Sequence, residues 1–237
     1  MKAVVIAAGE GERLKPYSDI FPKIMFPVGG KPIGRIIVET LRYYNFTDII
    51  FCISKQWSKY IHDYFGDGRR FNVNIQYSES EKALGTAGEV KNAQSLITDD
   101  FLIYYGDVLT KINLRELYET HIIHKDNPIY MGTLAVQDMV NTEVGLIETN
   151  HADTITKFVE KAKIYQNNWS AIAILKKKVL DLITPEENDF GTHIFPKIIK
   201  EGLSLKIYIN VNSWGDVGNI RSYKRINEEA NKNEDYA

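Results

Sequence analysis

Lys2-Ala3-Val4-Val5-Ile6-Ala7-Ala8-Gly9-Glu10-Gly11-Glu12-Arg13-Leu14-Lys15-Pro16 opens the chain as an apolar run that breaks into glycines and cations, and Pro22-Lys23 and Gly30-Lys31-Pro32 follow. The run is rich in β-branched residues and ends at glycines, the pattern of a parallel strand buried on both faces. Backbone N–H groups in a glycine-rich turn, with Arg13 and Lys23 close behind, suit a polyphosphate. Ala8, Gly9 and Gly11 are the candidate phosphate-wrapping positions. Two familiar glycine motifs fail on the same residues. A dinucleotide fingerprint needs a third glycine where Leu14 stands, and a P-loop needs a Gly-Lys-Ser/Thr that is absent. A plainer reading stays open, in which Gly9 and Gly11 only shape a tight strand-to-helix turn.

The chain has 237 residues, enough for one large α/β domain or two small ones. Its net charge of −2 gives no global pull toward nucleic acid, so any anion site must be local. A single cysteine, Cys52, excludes an intramolecular disulfide and sits in an apolar run that reads as core. Zinc-type clusters of cysteine and histidine are absent from the sequence. The amino-terminal apolar run is too short for a signal peptide or a membrane span, so a cytoplasmic protein with no membrane partner is expected.

Short apolar runs alternate with helical-period segments through the first half. Strands are expected at 2–8, 48–54, 72–77 and 101–105, and helices at 33–44, 57–65 and 86–96. The first of those helices places Ile36, Ile37, Thr40 and Leu41 on its inner side. Strand alternating with helix implies a Rossmann-like α/β fold, a mostly parallel sheet flanked by helices. Ligands of such sheets bind beyond the carboxyl ends of the strands, where the glycine loop and Gly106-Asp107 both fall. Past residue 127 strand-like runs follow one another at 129–136, 144–148, 154–159 and 170–175. They suggest a smaller mixed-sheet lobe over 128–237 that covers the strand ends of a nucleotide-binding lobe over 1–127. Helices are expected again near 190–200 and 220–230, and the polar stretch 231–237 is expected to fray. The whole reads as one domain with two lobes.

Asp107 closes an apolar strand, and Asp216 lies in Ser213-Trp214-Gly215-Asp216-Val217-Gly218. Two carboxylates over a triphosphate are a usual way to hold Mg²⁺. A Gly-Asp pair after a strand is also a common turn. Lys161, after the 155–159 run, offers a charge for a second phosphate or is simply solvated. Leu84-Gly85-Thr86-Ala87-Gly88 opens a helix, with Thr86 as a cap and Gly85 and Gly88 allowing a flat base to approach. It is equally a plain helix start.

Taken together these residues resemble the sugar-1-phosphate nucleotidylyltransferase family. The match runs from the 9–16 loop and Pro22-Lys23 through Leu84–Gly88, Tyr105-Gly106-Asp107, Val144-Gly145, Glu160-Lys161 and Phe195-Pro196 to Trp214–Gly218. The resemblance implies the nucleotide-diphospho-sugar transferase fold and Mg²⁺-dependent transfer of a nucleotidyl group from a nucleoside triphosphate to a sugar 1-phosphate. It implies that Gly9 and Gly11 wrap the triphosphate, that Arg13 binds its leaving end and that Lys23 stabilises charge at the α-phosphate. It further implies that Asp107 and Asp216 bind metal, that Lys161 holds the sugar phosphate and that Gly145 and Glu160 contact the sugar. A sugar phosphate is largely dianionic at neutral pH, so its attack on the α-phosphorus needs no general base.

The chain departs from the family pattern at Glu12, Ala162, Asn219 and Trp169-Ser170-Ala171, where an Asn-Ala-Gly is usual. Most of these departures lie on the sugar side. Leu84–Gly88 is closest to mannose-1-phosphate guanylyltransferase-like members, and Glu81 offers a carboxylate to guanine's N–H edge, so GTP is favoured over UTP and dTTP. In a run of charges, Glu81 is also readable as a surface residue. The carboxyl-terminal β-helix of many relatives is not expected. Other readings are a regulatory homologue that binds nucleotide sugar without turnover, and an enzyme acting on phosphocholine. The presence of Arg13, Lys23, Asp107, Lys161 and Asp216 favours activity. The sequence leaves a homo-oligomer open.

Overall fold

Residues 1–141, 144–160, 162–210, 212 and 214–232 are described in a computed structural model. In chain order its elements begin with β1 (Lys2–Ile6), the short β2 (Pro27–Val28) and β3 (Lys31–Pro32), α1 (Ile33–Tyr43) and β4 (Asp48–Ser54). Next come α2 (Ser58–Phe65), β5 (Asn74–Ser80), α3 (Thr86–Asn92), β6 (Phe101–Tyr105), β7 (Val108–Thr110) and α4 (Leu114–His124). They are followed by β8 (Tyr130–Gln137), β9 (Val140–Asn141), β10 (Leu146–Thr149), β11 (Ile155–Val159), β12 (Lys163–Ile164) and β13 (Asn168–Leu175). The remaining elements are α5 (Phe195–Lys200), β14 (Ser204–Ile209), β15 (Trp214–Asp216) and α6 (Ile220–Lys232).

Seven strands form one sheet in the order β14-β8-β13-β6-β1-β4-β5. All its pairings are parallel except those of β13, which runs against both β6 and β8. The alternation of side chains splits the core in two. Val5, Phe51, Leu102 and Ile174 fill one face, while Val4, Cys52, Ile103 and Ala173 fill the other. This two-faced burial is why the strands read as continuous apolar runs. Each fully buried Val, Leu, Ile or Phe stabilises the fold by about 1.5–3 kcal/mol, so the sheet dominates the energetics. Burial also pushes the Cys52 thiol far above its usual range, leaving it an unreactive core group.

The mostly parallel fold with flanking helices agrees with the sequence reading, and the differences have local causes. The buried face of α1 is Ile33, Gly34, Ile37, Val38 and Leu41, with Ile36 partly buried against the core as expected, so Val38 takes the place expected for Thr40. The expected helix over 86–96 stops at Asn92 and ends in a 3-10 turn, Gln94–Leu96. Helix α4 was not anticipated, although its start carries a cap. The Asn113 side chain accepts from the Arg115 and Glu116 N–H groups and donates to the Glu116 carboxylate at 2.8 Å.

Past residue 127 the strands divide between the central sheet and small antiparallel pairs. Strands β8, β13 and β14 join the central sheet, because β6 needs a partner on its open edge and β13 is apolar on both faces. Outside that sheet, two short antiparallel pairs come from this region alone, β10 with β11 and β9 with β12. A third pair couples β15 to β7. The expected helix over 190–200 is a π-turn, Phe190–Ile194, that runs into α5. Helix α6 extends to Lys232, and residues 233–237 of the stretch expected to fray lie outside the described residues.

Candidate active site

Parallel strands in register end together. Ile6 stands opposite both Cys52 and Tyr105, Ala7 N–H donates to the Cys52 carbonyl at 2.8 Å, and Gly106 N–H donates to the Ile6 carbonyl at 2.8 Å. The loops after β1, β5 and β6 therefore meet at one edge. Between them lies a cavity of about 260 Å³. One part of its wall is Ala7-Ala8-Gly9, another is Ala83, Gly85, Thr86 and Glu89, and a third is Tyr105, Gly106 and Asp107. Ile6, Lys23 and Ile24 complete it.

Lys23 begins a 3-10 turn, Lys23–Met25, and its Nζ lies 2.9 Å from Asp107 Oδ2. The pair joins residues 84 apart in sequence. Gly11 has a φ of 67°, in the left-handed region that favours glycine, and a Cβ built there would stand 3.8 Å from Lys23 Cε. Ser18, which the sequence reading did not single out, is buried and donates to the Gly11 carbonyl at 2.9 Å, fixing the turn. Glu12 and Arg13 are exposed. A Cβ built on Gly218 would stand 2.8 Å from Asp216 Oδ1 and 3.4 Å from an Arg13 guanidinium nitrogen, so Arg13 and Asp216 border the same point.

Asp216 reaches this neighbourhood through β15, which pairs antiparallel with β7 and sets Asp216 opposite Val108. Val217 N–H then donates to the Asp107 carbonyl at 2.9 Å. The backbone thus brings the segments that carry the two aspartates together. Mg²⁺ is held by one or two carboxylates plus substrate phosphates, so aspartates are donors of the right kind for that ion. Among the described residues no group of three acidic, histidine or cysteine side chains stands ready for a metal.

Thr86 is not the helix cap. Gly85 occupies that position, with a φ of 79°, and a Cβ there would lie 2.5 Å from the Asn188 carbonyl oxygen. That oxygen accepts from the Ala87 and Gly88 N–H groups at 2.9 and 3.0 Å. The Thr86 hydroxyl instead donates to Asp189 Oδ2 at 2.9 Å and accepts from Phe190 N–H at 3.0 Å. Burial opposes ionisation of Asp189. The hydrogen bonds from Thr192 and Thr86 outweigh it and hold the carboxyl below its usual range. The 188–190 segment therefore clamps the Gly85–Gly88 turn, a long-range contact with no local signal in the sequence.

Glu81 is not among the cavity-lining residues. It is exposed and paired with Lys55. The carboxylate that lines the cavity is Glu89, 3% exposed, which the sequence reading passed over. Its available signal was an acidic residue between apolar Ala87 and Val90 in one short helix. Gly145 and Glu160 meet at the β10–β11 hairpin, where a Cβ on Gly145 would stand 3.1 Å from Glu160 Oε2. Neither lines the cavity. Lys161 lies outside the described residues. Trp169, in the stretch that departs from the family pattern, packs edge-on against Tyr105 and Phe195 at ring-centroid distances of 5.3 and 4.9 Å.

Residues 2–233 match the family model described as nucleotidyl transferase. The chain belongs to the nucleotidyl transferase family. It is 30% identical over 240 residues to a UTP–glucose-1-phosphate uridylyltransferase from Synechocystis sp., covering 94% of this chain and 61% of that protein. It is 29% identical over 231 residues to a mannose-1-phosphate guanyltransferase from Aspergillus oryzae, covering 94% of this chain and 62% of that protein. The chain thus spans about three-fifths of the length of these curated relatives. A crystal structure from Bacillus anthracis, described as a "Putative Glucose-1-Phosphate Thymidylyltransferase" in complex with sucrose, superposes with a TM-score of 0.79 at 22% identity. That match covers 98% of this chain and 96% of the other, and it shows the same fold. In this family member, no helix among the described residues is long and apolar enough to cross a membrane.

Proposed function

We propose that this nucleotidyl transferase joins a nucleoside triphosphate, GTP by preference, to a sugar 1-phosphate, releasing pyrophosphate. The observation that carries the reading is the meeting of Lys23 and Asp107 at 2.9 Å on the wall of a cavity built from the glycine loop. Ala8, Gly9 and Gly11 wrap the triphosphate by their backbone. Lys23 and Arg13 neutralise the charge that builds as the sugar-phosphate oxygen attacks the α-phosphorus in line and pyrophosphate departs. Asp107 and Asp216 are the residues that would hold Mg²⁺, which supplies further charge neutralisation. Gly145, Glu160 and Lys161 are assigned to the sugar phosphate. The preference for GTP rests on the likeness of Leu84–Gly88 to guanylyltransferase sequences, and UTP or dTTP is the alternative. The two lobes assigned from the sequence, 1–127 and 128–237, and a cytoplasmic location belong to the same proposal.

The test is Mg²⁺-dependent pyrophosphate release with GTP, UTP, dTTP, CTP and ATP crossed against sugar 1-phosphates and phosphocholine. Release with one nucleotide and one sugar 1-phosphate, lost on adding chelator, establishes the reading. Release with phosphocholine alone overturns the sugar assignment. Nucleotide binding without release from any pair points instead to a regulatory homologue.

A further inference from the structure

Asp189 is not among the residues that line the cavity, yet it holds one of the cavity's walls. It immediately precedes the π-turn Phe190–Ile194, and its Oδ1 accepts from Thr192 N–H at 2.7 Å. Its backbone is pinned by His193, whose Nδ1 accepts from Asp189 N–H at 3.2 Å. The His193 N–H in turn donates to the Asp189 carbonyl at 3.0 Å. Oδ2 accepts from the Thr86 hydroxyl at 2.9 Å, across 103 residues of sequence.

A hydroxyl has one donor and two acceptor positions. At Thr86 the proton goes to Asp189, and Phe190 N–H at 3.0 Å takes one acceptor position. The Tyr105 phenol is hydrogen-bonded to the same hydroxyl and, with the Thr86 proton committed, it is the donor. The protein thus uses the Thr86 hydroxyl in full. A chain results, from Tyr105 O–H to Thr86 O–H to the Asp189 carboxylate, and it joins the end of β6 to the start of α3. Hydrogen bonds in such a chain strengthen one another, and the ionised carboxylate at its end sets the direction of both protons. Tyr105 and Thr86 both line the cavity, as does Gly85.

A negative charge one hydrogen bond behind that wall disfavours phosphate there, while Lys23 draws the triphosphate. The wall of Gly85, Thr86 and Tyr105 is then left to the uncharged base. We propose that Asp189 is a positioning residue for the nucleotide, acting through Thr86 to fix the wall on which the base rests. The proposal rests on the nucleotidyl-transfer reading, and its test separates the two.

Asp189→Asn, Thr86→Val and the two combined are compared with the wild-type chain, and Thr86→Ser is the control that keeps the hydroxyl. Asparagine has one acceptor oxygen for the donors that Asp189 serves, and valine has the shape of threonine without its hydroxyl. KM and kcat are measured for the fastest of GTP, UTP, dTTP, CTP and ATP, and KM for the sugar 1-phosphate that partners it. Each single variant is expected to raise the nucleotide KM about tenfold, with kcat and the sugar-phosphate KM within about twofold of wild type. The double variant should be no worse than either single one, because the two residues act as one unit. Thr86→Ser should stay near wild type.

An unchanged nucleotide KM, additive effects, or a fall in kcat at constant KM overturns the role of Asp189 while transfer activity stands. If Asp189→Asn does not fold, Thr86→Val against Thr86→Ser decides on the same KM, since the Thr86 hydroxyl is the link from Asp189 to the cavity. If no pair releases pyrophosphate, calorimetric titration of the five nucleotides takes the place of KM. The same non-additive tenfold loss of affinity then supports Asp189 and overturns nucleotidyl transfer. Binding of none of the five to the wild-type chain overturns both.

Discussion

Lys23 and Asp107 hold each other at 2.9 Å on the cavity wall, each less than a quarter exposed, and they tie the loop after β1 to the end of β6. An ion pair at this level of exposure adds at most about 1 kcal/mol to stability. The buried strands beneath it outweigh that many times over. The pair is therefore a feature of the site more than of the fold.

Lys23→Ala is accordingly expected to leave the melting temperature nearly unchanged while lowering turnover by about a hundredfold or more. Pyrophosphate release and thermal unfolding, measured on the same preparation, check both halves. A variant with near-wild-type turnover would remove Lys23 from the reaction.

Asp107→Asn and Asp216→Asn are each expected to raise the Mg²⁺ concentration needed for half-maximal activity. The reason is the metal-holding role proposed for both, whose segments the β7–β15 pairing brings together. A Mg²⁺ titration of initial rate is the measurement. Unchanged Mg²⁺ dependence in both variants would show that the metal is held elsewhere.

Ala171 has a φ of 60°, a conformation that costs an L-residue about 1–2 kcal/mol and glycine almost nothing. It sits where the register of β13 shifts against β8, between Trp169 and Ala173. Ala171→Gly is expected to raise stability by about 1 kcal/mol despite the lost methyl contact. Urea unfolding of both chains reads this directly, and a fall in midpoint would show that the methyl contact dominates.

His121 is fully buried, with Nε2 3.1 Å from Asp100 and Nδ1 2.8 Å from the Tyr130 hydroxyl. Burial is the larger influence and lowers its proton affinity, although Asp100 opposes it. The folded state then binds its proton at lower pH than the unfolded chain does. Its contribution is intact above the ordinary histidine range and is lost as pH falls from about 6.5 toward the lowered value. The wild-type melting temperature is expected to drop through that window, and the drop is expected to be smaller in His121→Gln. Parallel slopes for the two chains would assign the acid sensitivity to other groups.

Carboxylates show where sequence reading stops. Glu79 and Glu81 are exposed and Ser78 and Ser80 are buried, so Glu81 continues the outward phase of β5 and meets Lys55 instead of the cavity. That period of two was legible in principle. The inward turn of Glu89 was not, because it depends on Ser80 and Leu84 closing around one of its oxygens. The clamp of Asn188 and Asp189 on Gly85–Gly88 was equally hidden, being a meeting of two distant loops.

The sequence by itself determined the buried parallel strands, the glycine turn after β1 and the carboxylate after β6. Hydrophobic periodicity and glycine placement are local properties, written in neighbouring residues. The tertiary structure decided that β13 runs antiparallel between β8 and β6, that β15 brings the segment of Asp216 beside that of Asp107, and that Glu89 and not Glu81 lines the cavity. Those outcomes follow from which strand edges and loop ends must share space once the two cores close. Side-chain direction at such junctions is set by contacts between segments far apart in the chain.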